Sequence, residues 1–151
     1  MNEAETRAEL IDPQLKEAGW GVVEGSRILR EFRLTDGRIQ TGGGRTGPLT
    51  ADYILVYKNR KLAVIEAKSA EKPVGEGVAQ AKQYAEKLRL AYAFAANGNA
   101  IYQICMTTGK EEPVPAFPSP EKLWDLVFAD RNEWRERFHN VPYEDVGGTK
   151  L

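Results

Sequence analysis

The chain has one cysteine, Cys105, and one histidine, His139, in 151 residues. A lone cysteine closes no disulfide within the chain, and the apolar surroundings of Cys105, from Ile101 to Met106, mark it as a small buried filler. One histidine and one cysteine are too few for a zinc site of the usual ligand types. His139 lies in a polar tail, so a Ser-His-Asp triad is discounted. No apolar run reaches the ~18 residues needed to cross a bilayer. The opening Met1-Asn2-Glu3-Ala4-Glu5 has neither the basic nor the apolar region of a secretion signal, and the expected location is cytoplasmic. Charge of one sign is also scarce: 21 Lys and Arg against 22 Asp and Glu leave a net charge of −1. That balance gives no general affinity for polyanions, so contact with nucleic acid has to come from a local basic patch. The 42% of apolar residues is enough for one hydrophobic core.

The stretch from Thr50 to Lys68 organises the rest. Two apolar runs rich in β-branched and aromatic residues, 50–57 and 62–68, flank the polar residues 58–61 and read as a β-hairpin. Centring the turn on those four residues sets Asp52 beside Ala67, between Glu66 and Lys68. Glu66 and Lys68 are two apart on a strand and share a face. Two carboxylates and an ammonium therefore converge at one end of an apolar hairpin.

Before the hairpin, residues 3–18 predict a helix with Leu10, Ile11 and Leu15 on its apolar side. Pro13 should kink it or begin a second segment capped by Asp12. Gly19 is a stop signal and Trp20 a core anchor. Residues 27–34 predict a strand, and 35–38 a turn. The glycine-rich residues 41–48 lack the Lys and Ser/Thr of a phosphate loop and read as a mobile loop beside the site. After the hairpin, residues 75–89 predict a helix with Val78, Ala81, Ala85 and Leu88 as its stripe. Residues 91–96 and 100–106 predict strands joined by a type I′ turn at Asn97-Gly98-Asn99. The strand–helix–strand unit across residues 62–96 implies a right-handed crossover and parallel pairing. The four prolines of 113–120 argue against regular structure there. A helix starts at Ser119-Pro120 with Leu123, Trp124, Val127 and Phe128 on one face. A short helix over 133–138 and a linker-like tail follow.

The chemistry follows from the hairpin. Asp52 and Glu66 can hold one or two Mg²⁺ ions, which would polarise a phosphoryl oxygen and acidify a bound water. Lys68 can orient or deprotonate that water, or stabilise charge on the phosphate. An isolated Glu-x-Lys is common surface decoration; the third residue, Asp52, singles this one out. Gln80 and Tyr84 lie one turn apart on the following helix, placed to contact a phosphate backbone or brace the lysine, although a half-buried helix face has the same pattern. Glu5 and Glu9, also one turn apart, offer a third acid, although acids at a helix start are ordinary. Lys58, Arg60 and Lys61 fall at the far end of the hairpin. Lys82, Lys87 and Arg89 lie on the long helix. Arg27, Arg30, Arg33, Arg38 and Arg45 precede the site and are better placed to meet phosphates.

Asp52, Glu66-Ala67-Lys68 and Gln80-x-x-x-Tyr84 together resemble the PD-(D/E)xK nuclease motif with its Gln-x-x-x-Tyr extension. Further segments occur in matching order: Asn2-Glu3-Ala4-Glu5-Thr6-Arg7, Ala18-Gly19-Trp20, Thr35-Asp36-Gly37-Arg38, Ala96-Asn97-Gly98 and Phe117-Pro118-Ser119-Pro120. With them, the chain resembles the N-terminal nuclease domain of the restriction (R) subunit of type I restriction–modification enzymes over about residues 2 to 130. Ala51 stands where many such sites have proline, and the loop before Asp52 carries Arg45 alone where relatives are often rich in Lys and Arg.

The resemblance implies an α/β, restriction-endonuclease-like core, a mixed sheet flanked by helices on both faces. Residues 1–130 would be the endonuclease domain, and 131–151 a short helix and linker toward a motor domain that this chain does not encode. It implies catalytic roles for Asp52, Glu66, Lys68, Gln80 and Tyr84, metal ligation by Asp52, Glu66 and Glu5 (Glu9 second), and DNA contacts from Arg45, Gln80, Lys82 and Tyr84. The activity implied is Mg²⁺-dependent cleavage of double-stranded DNA beside specificity and methylation subunits, with ATP serving only the motor of a longer subunit. The alternatives are a nuclease-fold DNA-binding or assembly module inactive in isolation and a standalone DNA repair-type nuclease.

Overall fold

A computed structural model of the chain describes residues 2–34 and 49–129. The turn at 35–38, the loop at 41–48 with Arg45, the helix at 133–138 and the linker segment from 131 onward lie outside the described residues.

Six strands form one sheet in the order β1-β2-β3-β4-β5-β6. They are β1 (Ser26–Leu34), β2 (Leu49–Tyr57), β3 (Arg60–Ala67), β4 (Tyr92–Ala96), β5 (Ile101–Cys105) and β6 (Glu111–Val114). Neighbours pair antiparallel except β3 and β4, which are parallel. That one parallel pair follows from the crossover through helix α3 (Val78–Leu88), because parallel neighbours need a long connection. Each face of the sheet buries its own apolar cluster. On one face Ile11, Leu15, Trp20, Tyr53, Leu55, Ile65, Phe94 and Leu123 pack together. On the other, Ile54, Val56, Val64 and Ala93 meet Ala81, Tyr84 and Ala85 of α3. Helices therefore cover both faces, as expected from apolar runs with no polar alternation.

The first helix is interrupted. Helix α1 (Glu3–Thr6) passes into a π-helical turn, Arg7–Ile11, and then α2 (Asp12–Ala18). Pro13 sits in the first turn of α2. It has no N–H and its ring crowds the preceding turn, and the chain widens by one residue instead of breaking. Gly19, at φ 112°, ends α2 in the left-handed region, and the indole of Trp20 donates to the Pro118 carbonyl at 2.8 Å. At the other end of the chain Ser119 caps α4 (Pro120–Val127) through the Lys122 N–H.

Four local expectations are corrected. The hairpin turn has two residues, not four: Lys58 and Asn59 both have positive φ, 54° and 65°, the type I′ form that suits the strand twist. The turn between β4 and β5 is not type I′. Only Gly98 has positive φ, and the Asn97 carboxamide oxygen accepts the N–H groups of Asn99 and Ala100. Pro113 lies in a strand, β6, tolerated because β6 is the sheet edge and proline there removes no interior ladder bond. Cys105 is only partly buried; it is the last residue of β5 and packs against the edge of the core cluster.

Candidate active site

The position of Asp52 depends on a bulge. At the turn, Tyr57 pairs with Arg60 and Val56 with Lys61; past an irregularity at Leu55/Val56, Leu55 pairs with Ala63 and Tyr53 with Ile65. Leu62 is the extra residue on β3. Continued one step, this register sets Asp52 opposite Glu66, one residue from the predicted position beside Ala67. Residues opposed across an antiparallel pair share a face, and a one-residue slip reverses every side chain. Without the bulge Asp52 would oppose Ile65, on the face away from Glu66. The bulge therefore brings the two carboxylates together.

Asp52 is held on both oxygens. Oδ2 accepts the Ala67 N–H at 2.8 Å, and Oδ1 accepts from Arg7 Nη1 at 3.4 Å. Arg7 also lies 3.6 Å from Glu31 Oε2. Glu31, at φ 51°, is the residue that the β1–β2 register would oppose to Asp52, and this is a step missing from that ladder.

Glu66 is 5% exposed. Burial first, then the charge of Asp52 and a hydrogen bond with it, push its carboxyl up to about 9; Lys68 pulls the other way. Its Oε1 is buried and has no hydrogen-bond partner. A buried, crowded, partly unsatisfied carboxyl is costly in the free protein, and positive charge placed between Asp52 and Glu66 would relieve that cost.

The third acid at the cluster is Glu3. Burial and the charge of Asp52 raise its carboxyl, and Arg7 and Lys68 lower it. Glu3 lines a cleft of about 380 Å³ with Asn2, Lys68, Ser69, Glu71 and Lys72. The helix is tied there through Thr6, which accepts the Ala70 N–H at 2.9 Å, and through Gln14, whose amide donates to the Gly98 carbonyl at 3.0 Å. The structure does not bring Glu5 or Glu9 to the cluster. Glu5 closes a capping box with Asn2, each side chain meeting the other's backbone N–H, and Glu9 is exposed. The spacing Asn2-x-x-Glu5 is itself a capping signature that could have excluded Glu5 from the sequence. Arg7 carried no such signal.

Lys68 follows β3, its N–H donating to the Ala96 carbonyl at 2.8 Å. Its aliphatic stem runs over Gly77, where an added Cβ would lie 3.4 Å from Lys68 Cγ. Gln80 donates its amide to the Tyr84 hydroxyl at 2.8 Å. Burial raises the Tyr84 phenol, Gln80 lowers it, and the charges of Glu66 and Asp52 raise it again; Tyr84 therefore feels the cluster. Lys82 points elsewhere, in an ion pair with Glu111 of β6. Lys58 is likewise remote, with its ammonium over the rings of Tyr57 and Trp124.

The donor set fits a hard divalent cation: two adjacent carboxylates, one with an unpartnered buried oxygen. Among the described residues no three Asp, Glu, His or Cys side chains close into a full metal cage. An ion here would keep water in most of its positions, the habit of Mg²⁺.

Fold and cluster define a class: an α/β domain of restriction-endonuclease-like architecture, with its acidic pair on the central hairpin. The family model described as Type I restriction enzyme EcoKI endonuclease subunit second domain matches residues 39–116, just over half of the chain. The chain belongs to the family of type I restriction enzyme endonuclease subunits. It is 31% identical over 134 residues to the Type I restriction enzyme EcoAI endonuclease subunit of Escherichia coli, across 82% of this chain and 16% of that protein. A solved fragment of a candidate HsdR subunit of a type I restriction enzyme from Vibrio vulnificus YJ016 superposes with a TM-score of 0.79 at 39% identity, over 87% of this chain and 26% of that one. The chain thus spans about a sixth of the curated relative. Among the described residues no helix is long and apolar enough to cross a membrane.

Proposed function

We propose that this domain hydrolyses phosphodiester bonds of double-stranded DNA with Mg²⁺, as the cutting part of a type I restriction complex. The observation that carries the reading is the pairing of Asp52 with the buried Glu66, opposed across a bulged hairpin, with Lys68 directly after the strand that bears Glu66. Membership of the endonuclease-subunit family supports it.

Asp52 and Glu66 would hold the ion, with Glu3 positioned by α1 to accept hydrogen bonds from its waters. The ion would supply Lewis acidity toward a phosphoryl oxygen and a more acidic water. Lys68, braced over Gly77, donates toward the phosphate oxygens or orients the attacking water, and its charge offsets the negative charge that builds on the phosphorus oxygens. Gln80, partly exposed on the flanking helix, would offer its amide to a DNA backbone phosphate, with the buried Tyr84 hydroxyl bracing that amide from the core. Arg45 is proposed as a further phosphate contact, whereas Lys82 would have to leave Glu111 to serve as one. In the longer subunits of this family the partners would be specificity and methylation subunits in the cytoplasm, with ATP consumed by a motor outside this chain.

Cleavage of supercoiled plasmid with Mg²⁺ at low salt tests the reading, with Lys68→Ala as control. Nicking or linearisation by the wild type and its loss in the variant are expected. Equal activity in both would remove Lys68 from the mechanism. A second reading, a nuclease-fold module that cuts only in its full assembly, is favoured by the net charge of −1, since weak DNA grip follows from it. Inactivity of the chain alone together with Lys68-dependent cutting by the whole subunit would select that reading.

A further inference from the structure

Among the described residues, Arg7 is the cation whose side chain contacts Asp52 of the acidic pair. Its Nη1 reaches Asp52 Oδ1 at 3.4 Å and Glu31 Oε2 at 3.6 Å, both well beyond the roughly 2.8 Å of a tight guanidinium–carboxylate bond. Its Nε is buried with no partner, so the guanidinium is only partly satisfied where it lies. It begins the π-helical turn Arg7–Ile11, a local widening that re-aims side chains at functional sites.

The two oxygens of Asp52 are not equivalent. Oδ2 is fixed by the Ala67 N–H, which leaves Oδ1 as the oxygen open to an ion, and Oδ1 is the atom that Arg7 contacts. Arg7 also borders an open cleft of about 360 Å³, lined in part by Ala8, Asp12, Arg30, Glu31 and Tyr53. The side chain has somewhere to go.

We propose that Arg7 is the resident counter-cation of Asp52, a positioning residue that holds Oδ1 in the metal-free protein and gives it up when a divalent cation arrives. This rests on the metal reading of the site. A divalent ion at Oδ1 would repel the guanidinium that contacts the same oxygen, so Arg7 release and metal entry are coupled. The Arg7 contact keeps Asp52 aimed before the ion binds, and the exchange lowers the apparent metal affinity by the strength of the contact it displaces. A like-charged side chain left beside the ion would be repelled into the neighbouring cleft, within reach of a phosphate bound at that ion.

Calorimetric titration of the chain with Mn²⁺ tests this, comparing wild type with Arg7→Met and Arg7→Lys. Mn²⁺ binding about three- to tenfold tighter in Arg7→Met is expected, from loss of one competing charge at a partly solvated site, together with weaker plasmid cleavage. A merely structural arginine would lower both. Should Arg7→Met fail to fold, the wild type suffices: the Arg7 Nε–H resonance of ¹⁵N-arginine-labelled protein should shift on Mg²⁺ titration with the midpoint found by calorimetry. Unchanged or weaker Mn²⁺ binding in a folded Arg7→Met, or an Arg7 resonance indifferent to Mg²⁺, would overturn the inference and leave the metal reading intact. Absence of metal binding to the wild type would overturn both.

Discussion

Asp52 accepts the backbone N–H of Ala67 across the hairpin at 2.8 Å, which locks one carboxylate oxygen and sets the other toward Arg7. The bond exists because Leu62 bulges out of β3 and shifts the register by one residue. Position and chemistry are thus joined at a single irregularity of the sheet.

The pH dependence of stability should report the crowding at Glu66. Its folded carboxyl is raised to about 9 from an unfolded value near the usual ~4.3. Between those values the folded protein binds the proton and the unfolded chain does not, so the metal-free protein loses stability as pH rises through this window. Glu66→Gln should flatten the slope and stabilise the metal-free protein at pH 8 by on the order of 1–3 kcal/mol. Urea denaturation across pH with a chelator present measures it, and a slope unchanged by the substitution would exclude Glu66 as its source.

Glu3 and Glu5 should separate cleanly. Glu5→Ala removes a capping-box partner and should cost about 0.5–2 kcal/mol of stability with cleavage retained. Glu3→Gln, beside Asp52 and Lys68, should spare stability and lower Mg²⁺-dependent cleavage roughly tenfold, about 1.4 kcal/mol in the barrier. Thermal denaturation and plasmid cleavage of both variants decide; a reversed pattern would return Glu5 to the site.

Gly77 leaves room for the stem of Lys68. Gly77→Ala meets that stem at ordinary contact distance and should be nearly silent. Gly77→Val adds methyl groups there and should displace the ammonium, reducing cleavage while Mn²⁺ affinity stays as in the wild type. Loss of metal binding in Gly77→Val would instead mean that α3 itself had shifted.

Gly98 carries the first helix. A Cβ there would lie 2.5 Å from Leu10 Cδ1, and its φ is +90°. Gly98→Ala should cost about 1–3 kcal/mol, and through the displaced helix it should also reduce the effect of Glu3→Gln. A double-mutant cycle in cleavage rate measures that coupling; strict additivity would show that the helix holds its place without this contact.

Much of this was legible in the residues. The two apolar runs of the hairpin, the stripe of α3 and the Ser119-Pro120 start of α4 each repeat at the period of their element, and periodicity survives without tertiary information. The parallel pair followed from the length of the connection between β3 and β4. What failed was register. Leu62 is one of several consecutive apolar residues, and nothing in its type marks it as the bulged one, since both faces of this sheet are buried and alternation is absent. The pairing of Lys82 with Glu111 also lay out of reach, because it joins α3 to an edge strand that its own proline argued against. Glu3 was hidden for a different reason: Glu5 and Glu9 share a face on a regular helix, and the π turn that begins at Arg7 changes which side chains face the sheet.

The most direct measurement is a crystal of the chain soaked in Mn²⁺, with anomalous scattering recorded at the manganese edge. An anomalous peak bridging Asp52 Oδ1 and Glu66, with the Arg7 guanidinium moved off Asp52, is the expected result. Empty density there with the two carboxylates more than about 8 Å apart would contradict it, because hard cations bind oxygen at roughly 2.0–2.6 Å and two such bonds cannot span that gap.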